Sequence, residues 1–198
     1  CGAGADCKDA AVATVAGICL GGLSRSPRTQ LFGWLCMVGL LLVLDRFRKT
    51  GRGLWILPLI FAFWINLHGS WPFGLVVLAL TIASGLVGGQ YGNVVATRWT
   101  AEELRKLLFT FGFCVAAVFL NPFGYKLVLY PVDFSLRQQH VAQFVEEWQP
   151  VHFGTFNGEL TLVLIFVLLA FFLFSRSQWR LDEVLLAVFA LGASLLHV

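Results

Sequence analysis

The sequence predicts an all-α fold, a polytopic transmembrane bundle of about seven helices, and three observations carry that expectation. Hydrophobic residues make up 58% of the 198 positions and charged residues 13%, against roughly 45–50% and about 25% in soluble domains. Mean hydropathy is +0.79. Apolar runs recur from end to end, each bounded by charge, Pro or Gly, and Phe and Trp are abundant at 19 and 7 copies, as suits surfaces that meet lipid and its interface. A polar catalytic domain has no room in such a chain. Its expected partner is the lipid bilayer, and nucleic acid is not among its expected partners.

A bilayer core of ~30 Å takes ~20 apolar residues as a helix, with a range of ~17–25. On that scale the runs at 10–23, 30–44, 54–67, 72–89, 107–120, 160–174 and 181–198 are candidate spans. The first two are short, so the count is six to seven. Together they form a single transmembrane domain over 1–198. The chain opens on Cys1 rather than Met and closes inside an apolar run at Val198, so it reads as a fragment of a longer one.

Orientation follows from the basic residues between runs, because Lys and Arg are retained on the cytoplasmic side. Lys8, Arg46, Arg48, Lys49, Arg52, Arg98, Arg105, Lys106, Arg176 and Arg180 fall on one side. Arg25, Arg28, Lys126 and Arg137 fall on the other. The larger group puts the start of the chain inside and the connections 24–29, 68–71 and 121–159 outside, the last a longer loop carrying short interfacial helices.

The outer connections hold the polar motifs. Arg25, Pro27, Arg28 and Gln30 lie between the first two runs; guanidinium forks there match phosphate oxygens, with plain headgroup contact as the alternative. Trp64, Asn66, His68, Gly69 and Trp71 end the third run and turn into the fourth. Polar groups at that depth mark a site unless they only cap and turn the chain. Asn121-Pro122-Phe123-Gly124 stops the fifth run, since Pro and Gly do not carry a helix on. The stretch 127–134, interrupted by Pro131, is too short to span and lies along the interface, with Lys126 just ahead of it. Glu146, Glu147 and Trp148 stand between His140 and His152; a carboxylate beside apolar surface can serve as acid, base or metal ligand, or merely face water. On the inner side, Thr100 and Glu103 form a capping-box pattern, and Glu102 stands at helical spacing from Lys106. Cys1, Cys7, Cys19, Cys36 and Cys114 lack metal-ligand spacing and read as small apolar residues. No metal site is assigned, and a divalent metal remains an open cofactor.

These motifs in this order resemble the C-type (GT-C) glycosyltransferases of bacteria, the class of protein mannosyltransferases and lipid A aminoarabinose transferases. The resemblance rests on 28–30, 54–58, 64–69, 121–124, Tyr130-Pro131 and 147–150. The chain departs from the pattern at Thr29, where Pro is usual, and at Ser70, where a second Gly is usual. The resemblance implies a membrane-embedded enzyme of the bacterial inner membrane that takes a sugar from a polyprenyl-phosphate donor on the outer face. Its catalytic acid would lie upstream of this chain, leaving the catalytic residue unknown here. Arg28, Gln30, Asn66, His68, Lys126, Glu146, Glu147 and Trp148 are then the substrate-binding candidates. A transporter or flippase, or a non-catalytic membrane scaffold, are the alternative readings.

Overall fold

The computed structural model describes residues 29–137, 153–174 and 177–196. Among the described residues it is mostly helical, with seven helices and three short strands. The first expected run, 10–23, lies outside them.

Helix α1 (Gln30–Thr50) runs past the expected end at residue 44. Arg46, Arg48 and Lys49 carry the helix as readily as leucine does, and the last two lie in its final turn, where the negative end of the helix dipole favours cations. Lys49 also pairs with Asp45 one turn back at 2.6 Å. The helix stops at Gly51, whose left-handed backbone (φ 68°) returns its N–H to the Phe47 carbonyl.

Helices α2 (Ile56–Leu67) and α3 (Trp71–Ser84) follow as an up-down pair joined by a tight turn. By length and composition α1 is the one described helix able to cross a membrane; α2, α3 and a later segment, Gly158–Phe174, are shorter apolar helices. With 12 residues, α2 is about 18 Å long at ~1.5 Å per residue. Among the described residues the expectation of seven spans is therefore met in its helical character, with one helix of spanning length.

The all-α expectation needs one correction. Strands β1 (Gly89–Tyr91) and β2 (Val94–Ala96) form an antiparallel hairpin, and β3 (Trp179–Arg180) pairs parallel to β2. The two-residue loop Gly92-Asn93 has Gly first at φ 62°, as a type II′ turn requires, and β-branched Val94 and Val95 suit the strand. Read as the tail of an apolar run, 85–89 instead leaves the helix for this hairpin.

Helix α4 (Ala101–Ala117) starts at the predicted capping box: the Thr100 hydroxyl accepts from the Glu103 N–H at 3.2 Å, and the Glu103 carboxylate accepts from the Thr100 N–H at 2.9 Å. Helix α5 (Tyr125–Arg137) is continuous through Pro131, so the expected interruption does not occur; a proline inside a helix removes one backbone hydrogen bond, and flanking turns hold the rest. Leu127 and Val128 turn to the core while Leu129, Tyr130 and Val132 are exposed. Helices α6 (Phe156–Phe174) and α7 (Leu181–Leu196) complete the order.

The core lies among α1, α2, α3 and α4, where Leu40, Phe47, Leu57, Phe61, Trp64, Leu78 and Leu107 are fully buried. Small residues set the spacing: a Cβ on Gly74 would come within 2.5 Å of the Trp64 ring, so only glycine lets α3 lie against that indole. Helix α7 joins through the Phe73–Phe189 ring pair, centroids 5.9 Å apart. The outer surface stays apolar. Leu35, Leu42, Phe63, Phe113 and Phe174 are all more than 60% exposed, and α6 exposes Val163, Phe166, Val167 and Leu173 while setting Phe171 and Phe172 against Trp179. Apolar surface spread over so many helices is what lipid, rather than water, tolerates.

Candidate functional site

The up-down order of α1 to α4 sorts polar residues to two ends. At one end α1 begins, α2 turns into α3, and α4 gives way to α5; at the other lie the α1–α2 loop, the small sheet and the start of α7.

The first end is built around His68. Trp64 Nε1 donates to Ser70 Oγ at 3.1 Å, and Ser70 Oγ lies 2.7 Å from His68 Nδ1. The Ser70 backbone N–H also donates to Nδ1 at 3.2 Å. An Nδ1 that accepts from an N–H carries no proton, so the hydroxyl donates to it as well and the ring proton resides on Nε2. Burial lowers the His68 pKa from its ordinary value of 6.5, which keeps the imidazole neutral at pH 7. The resulting relay runs indole N–H, serine O–H, imidazole, and leaves Nε2–H as a donor without a partner among the described residues.

Helix α1 reaches this turn through Gly33. A Cβ there would stand 2.7 Å from Ser70 Oγ and 2.9 Å from His68 Nδ1, so the missing side chain is what admits the turn. Gln30 lies one turn earlier on the same helix. Asn66 Nδ2 donates to the Ala62 carbonyl at 2.7 Å and to Leu120 at 2.9 Å, tying the end of α2 to the end of α4. Asn121 then accepts from the Phe123 N–H and donates to the Val118 and Gly124 carbonyls, and Gly124 takes φ 56° as an αL turn requires. Lys126 is exposed in the first turn of α5.

Of the residues singled out in the sequence, Asn66 and His68 are brought together with Trp64, Ser70, Gly33 and the 120–124 turn. Asn66 and Asn121 give their amide N–H groups to carbonyls, bonds that hold these turns together. Within the 64–70 turn, His68 keeps Nε2–H as a donor to offer. Arg28, His140, Glu146, Glu147, Trp148 and His152 lie outside the described residues. Ser70, a departure from the family pattern, is the centre of the relay; its signal in the sequence was a hydroxyl two residues after a histidine in a turn.

The opposite end holds a second network that sequence reading missed. Arg48 Nη2 meets Asp182 Oδ2 at 3.1 Å and donates to Ser84 Oγ at 3.3 Å. Its guanidinium lies 4.1 Å over the Trp99 ring. Arg180 closes on Asp182 through Nε at 3.1 Å and Nη2 at 2.7 Å, a fork-on-carboxylate pair that raises the Arg180 pKa. Asp45 and Glu183 stand farther out, 3.8 and 3.7 Å from Arg180. Arg48, taken in the sequence as one basic residue of a loop, is thus a buried cross-link between α1, α3 and α7. The available signal was Asp182 at the head of an apolar run, which demands a partner.

Among the described residues no three His, Cys, Asp or Glu side chains come together as a metal group. Cys114 is buried and Cys36 partly so, both unpaired thiols. No family model, no curated protein and no solved structure matches the chain.

Proposed function

We propose that this chain is the membrane-embedded helical part of a lipid-linked sugar transferase of the kind its motifs resemble. In this reading it crosses the bacterial inner membrane about seven times, with the His68 turn on the outer face. The observation that carries the proposal is convergence: the 64–69 stretch meets the chain entering 121–124 through Asn66 and Leu120, and Gly33, three residues past the 28–30 stretch, lies against His68 and Ser70, all at the end that is poor in basic residues. Arg46, Arg48, Lys49, Arg52, Arg98, Arg105, Lys106 and Arg180 gather at the other, the distribution that retention of positive charge inside would produce.

At the outer end the neutral His68 ring offers Nε2–H to an incoming oxygen. A polyprenyl-phosphate sugar presents phosphate oxygens on which negative charge grows as the sugar leaves, and a fixed donor there favours the charged state. Lys126, exposed in the first turn of α5, adds positive charge on the same side. His68 is a binding residue in this reading, and no residue is assigned as the acid of the reaction.

The test is transfer of radiolabelled sugar from its polyprenyl-phosphate carrier in membranes holding the protein. Replacing His68 with Phe removes the donor at similar size; loss of a hydrogen bond to a charged group costs ~1.5–3 kcal/mol, roughly 10- to 150-fold in rate. Rates equal to wild type at equal protein abundance would sink the assignment and leave the transporter and scaffold readings. Topology is checked separately: a thiol at position 68 reacts with an impermeant reagent from outside, and a thiol at position 105 only after the membrane is opened.

A further inference from the structure

Beyond the outer-face turn, the basic end carries a cleft that the transferase chemistry proposed above does not use, although Leu54, Trp55 and Pro58 of the 54–58 stretch line it. It lies between α2 and α4, below the α1–α2 loop, with a volume of about 570 Å³. Its floor and walls include Trp55, Pro58, Phe109 and Phe113; its rim carries Arg105 and Lys106. Arg105, Phe109 and Phe113 follow one another at helical spacing on one face of α4, and the two rings are each 64% exposed while Trp55 is 71% exposed. Such a surface is cationic at its mouth and aromatic below.

Positive charge outnumbers negative around the mouth. Arg105 is exposed and has no ion-pair partner among the described residues. Lys106 pairs with Glu102 at 2.6 Å, but both are exposed, so water and other anions compete for that ammonium. The Arg46 side chain lies against Gly53, 3.6 Å from where a Cβ would stand, and Gly53 lines the cleft. Glu102 is the acid facing this group; Glu103 is turned to its capping contacts with Thr100, and Asp45 to Lys49.

We propose that this cleft binds one anionic glycerophospholipid of the basic-side leaflet. Its phosphate would lie at Arg105 and Lys106 and its acyl chains along Trp55, Phe109 and Phe113. A zwitterionic lipid brings its own cation to a rim that is already positive, whereas an anionic one does not, so the rim selects by charge and the rings hold the chains. The proposal rests on the chain lying in a bilayer, and does not depend on the transferase chemistry at the other end.

The experiment uses the full chain in phosphatidylcholine vesicles, with Trp55 fluorescence isolated by subtracting the Trp55→Phe variant. Bromine on the acyl chains, introduced as either phosphatidylglycerol or phosphatidylcholine, quenches an indole in contact with it. Brominated phosphatidylglycerol should reach half-maximal quenching at a mole fraction about fivefold lower. The paired substitution Arg105→Gln with Lys106→Gln, at exposed positions, should make the two lipids equal. Equal quenching by both lipids in the wild type overturns the lipid preference and leaves membrane insertion standing. Absence of quenching by either overturns both. Reversal of the phosphatidylglycerol effect by soluble glycerol phosphate would show a free-phosphate site and also overturn the proposal.

Discussion

Asp182 is the residue whose removal should cost this fold most. Its carboxylate is 6% exposed and the facing Arg48 side chain 13%, and Arg48 Nε is already buried without a hydrogen-bond partner. Replacing Asp182 with Ala strands a guanidinium among α1, α3 and α7 with only Ser84 and the Trp99 face to receive it. Breaking a buried pair from one side costs about 3–5 kcal/mol. Arg180, 38% exposed, can turn to Glu183, Asp45 or water, and adds less than about 1 kcal/mol. The total, about 3–6 kcal/mol, corresponds to a fall of roughly two to four orders of magnitude in the folded-to-unfolded ratio. Unfolding in mixed micelles by titration with sodium dodecyl sulfate, followed by helical circular dichroism, measures it. A companion variant makes the reasoning sharper: Arg48→Met with Asp182→Leu removes both charges, and should return to within about 1 kcal/mol of wild type or exceed it. A loss below about 1 kcal/mol for Asp182→Ala, or a double variant no better than the single, would refute the account of this network.

The remaining predictions concern the opposite end and the caps. Gly33→Ala drives a Cβ into Ser70 and His68 and should destabilise by about 1–3 kcal/mol, while Gly112→Ala, with nothing within 4 Å of its added carbon, should stabilise by about 0.5–1 kcal/mol; the same titration separates them. Thr100→Ala removes one side of the capping box and should cost about 1 kcal/mol, read as earlier fraying of α4 by amide exchange. His68 gives a pH dependence of definite sign. Its pKa is lowered by burial from 6.5, so above that value both states are neutral and stability is flat. As pH falls below it, the unfolded chain takes up the proton first, and stability declines until the folded ring also titrates. A stability profile from about pH 8 to 5 should show this decline, and His68→Phe should flatten it; an unchanged slope in the variant would assign the decline elsewhere.

Local signals were read from the sequence with little loss. The Thr100–Glu103 box and the Glu102–Lys106 pair depend on residues within one turn of each other, and both form. The stop at 121–124 forms as well, because Asn, Pro and Gly restrict the backbone wherever they stand. Two local readings failed for reasons of range. Asp45 to Thr50 looked like a loop because charge was taken to end a span, yet charged residues extend a helix beyond its apolar part. Pro131 looked like a break, but one lost hydrogen bond inside a helix of 13 residues does not end it. The hairpin at 89–96 was hidden because its residues continue the composition of the run before it.

What the sequence by itself determined is the helical, apolar character of the chain, the order of its turns and the separation of basic from polar connections, all properties of composition and of neighbours in the chain. Only the tertiary structure decided what the polar residues do. It joined Asn66 to Leu120 and Arg48 to Asp182, and it made Ser70 the link between an indole and an imidazole. It also used the bare Cα of Gly33 to let α1 approach that turn. The physical reason is that a buried polar group must find a partner, and which partner is within 3 Å depends on how helices pack, not on where residues fall along the chain.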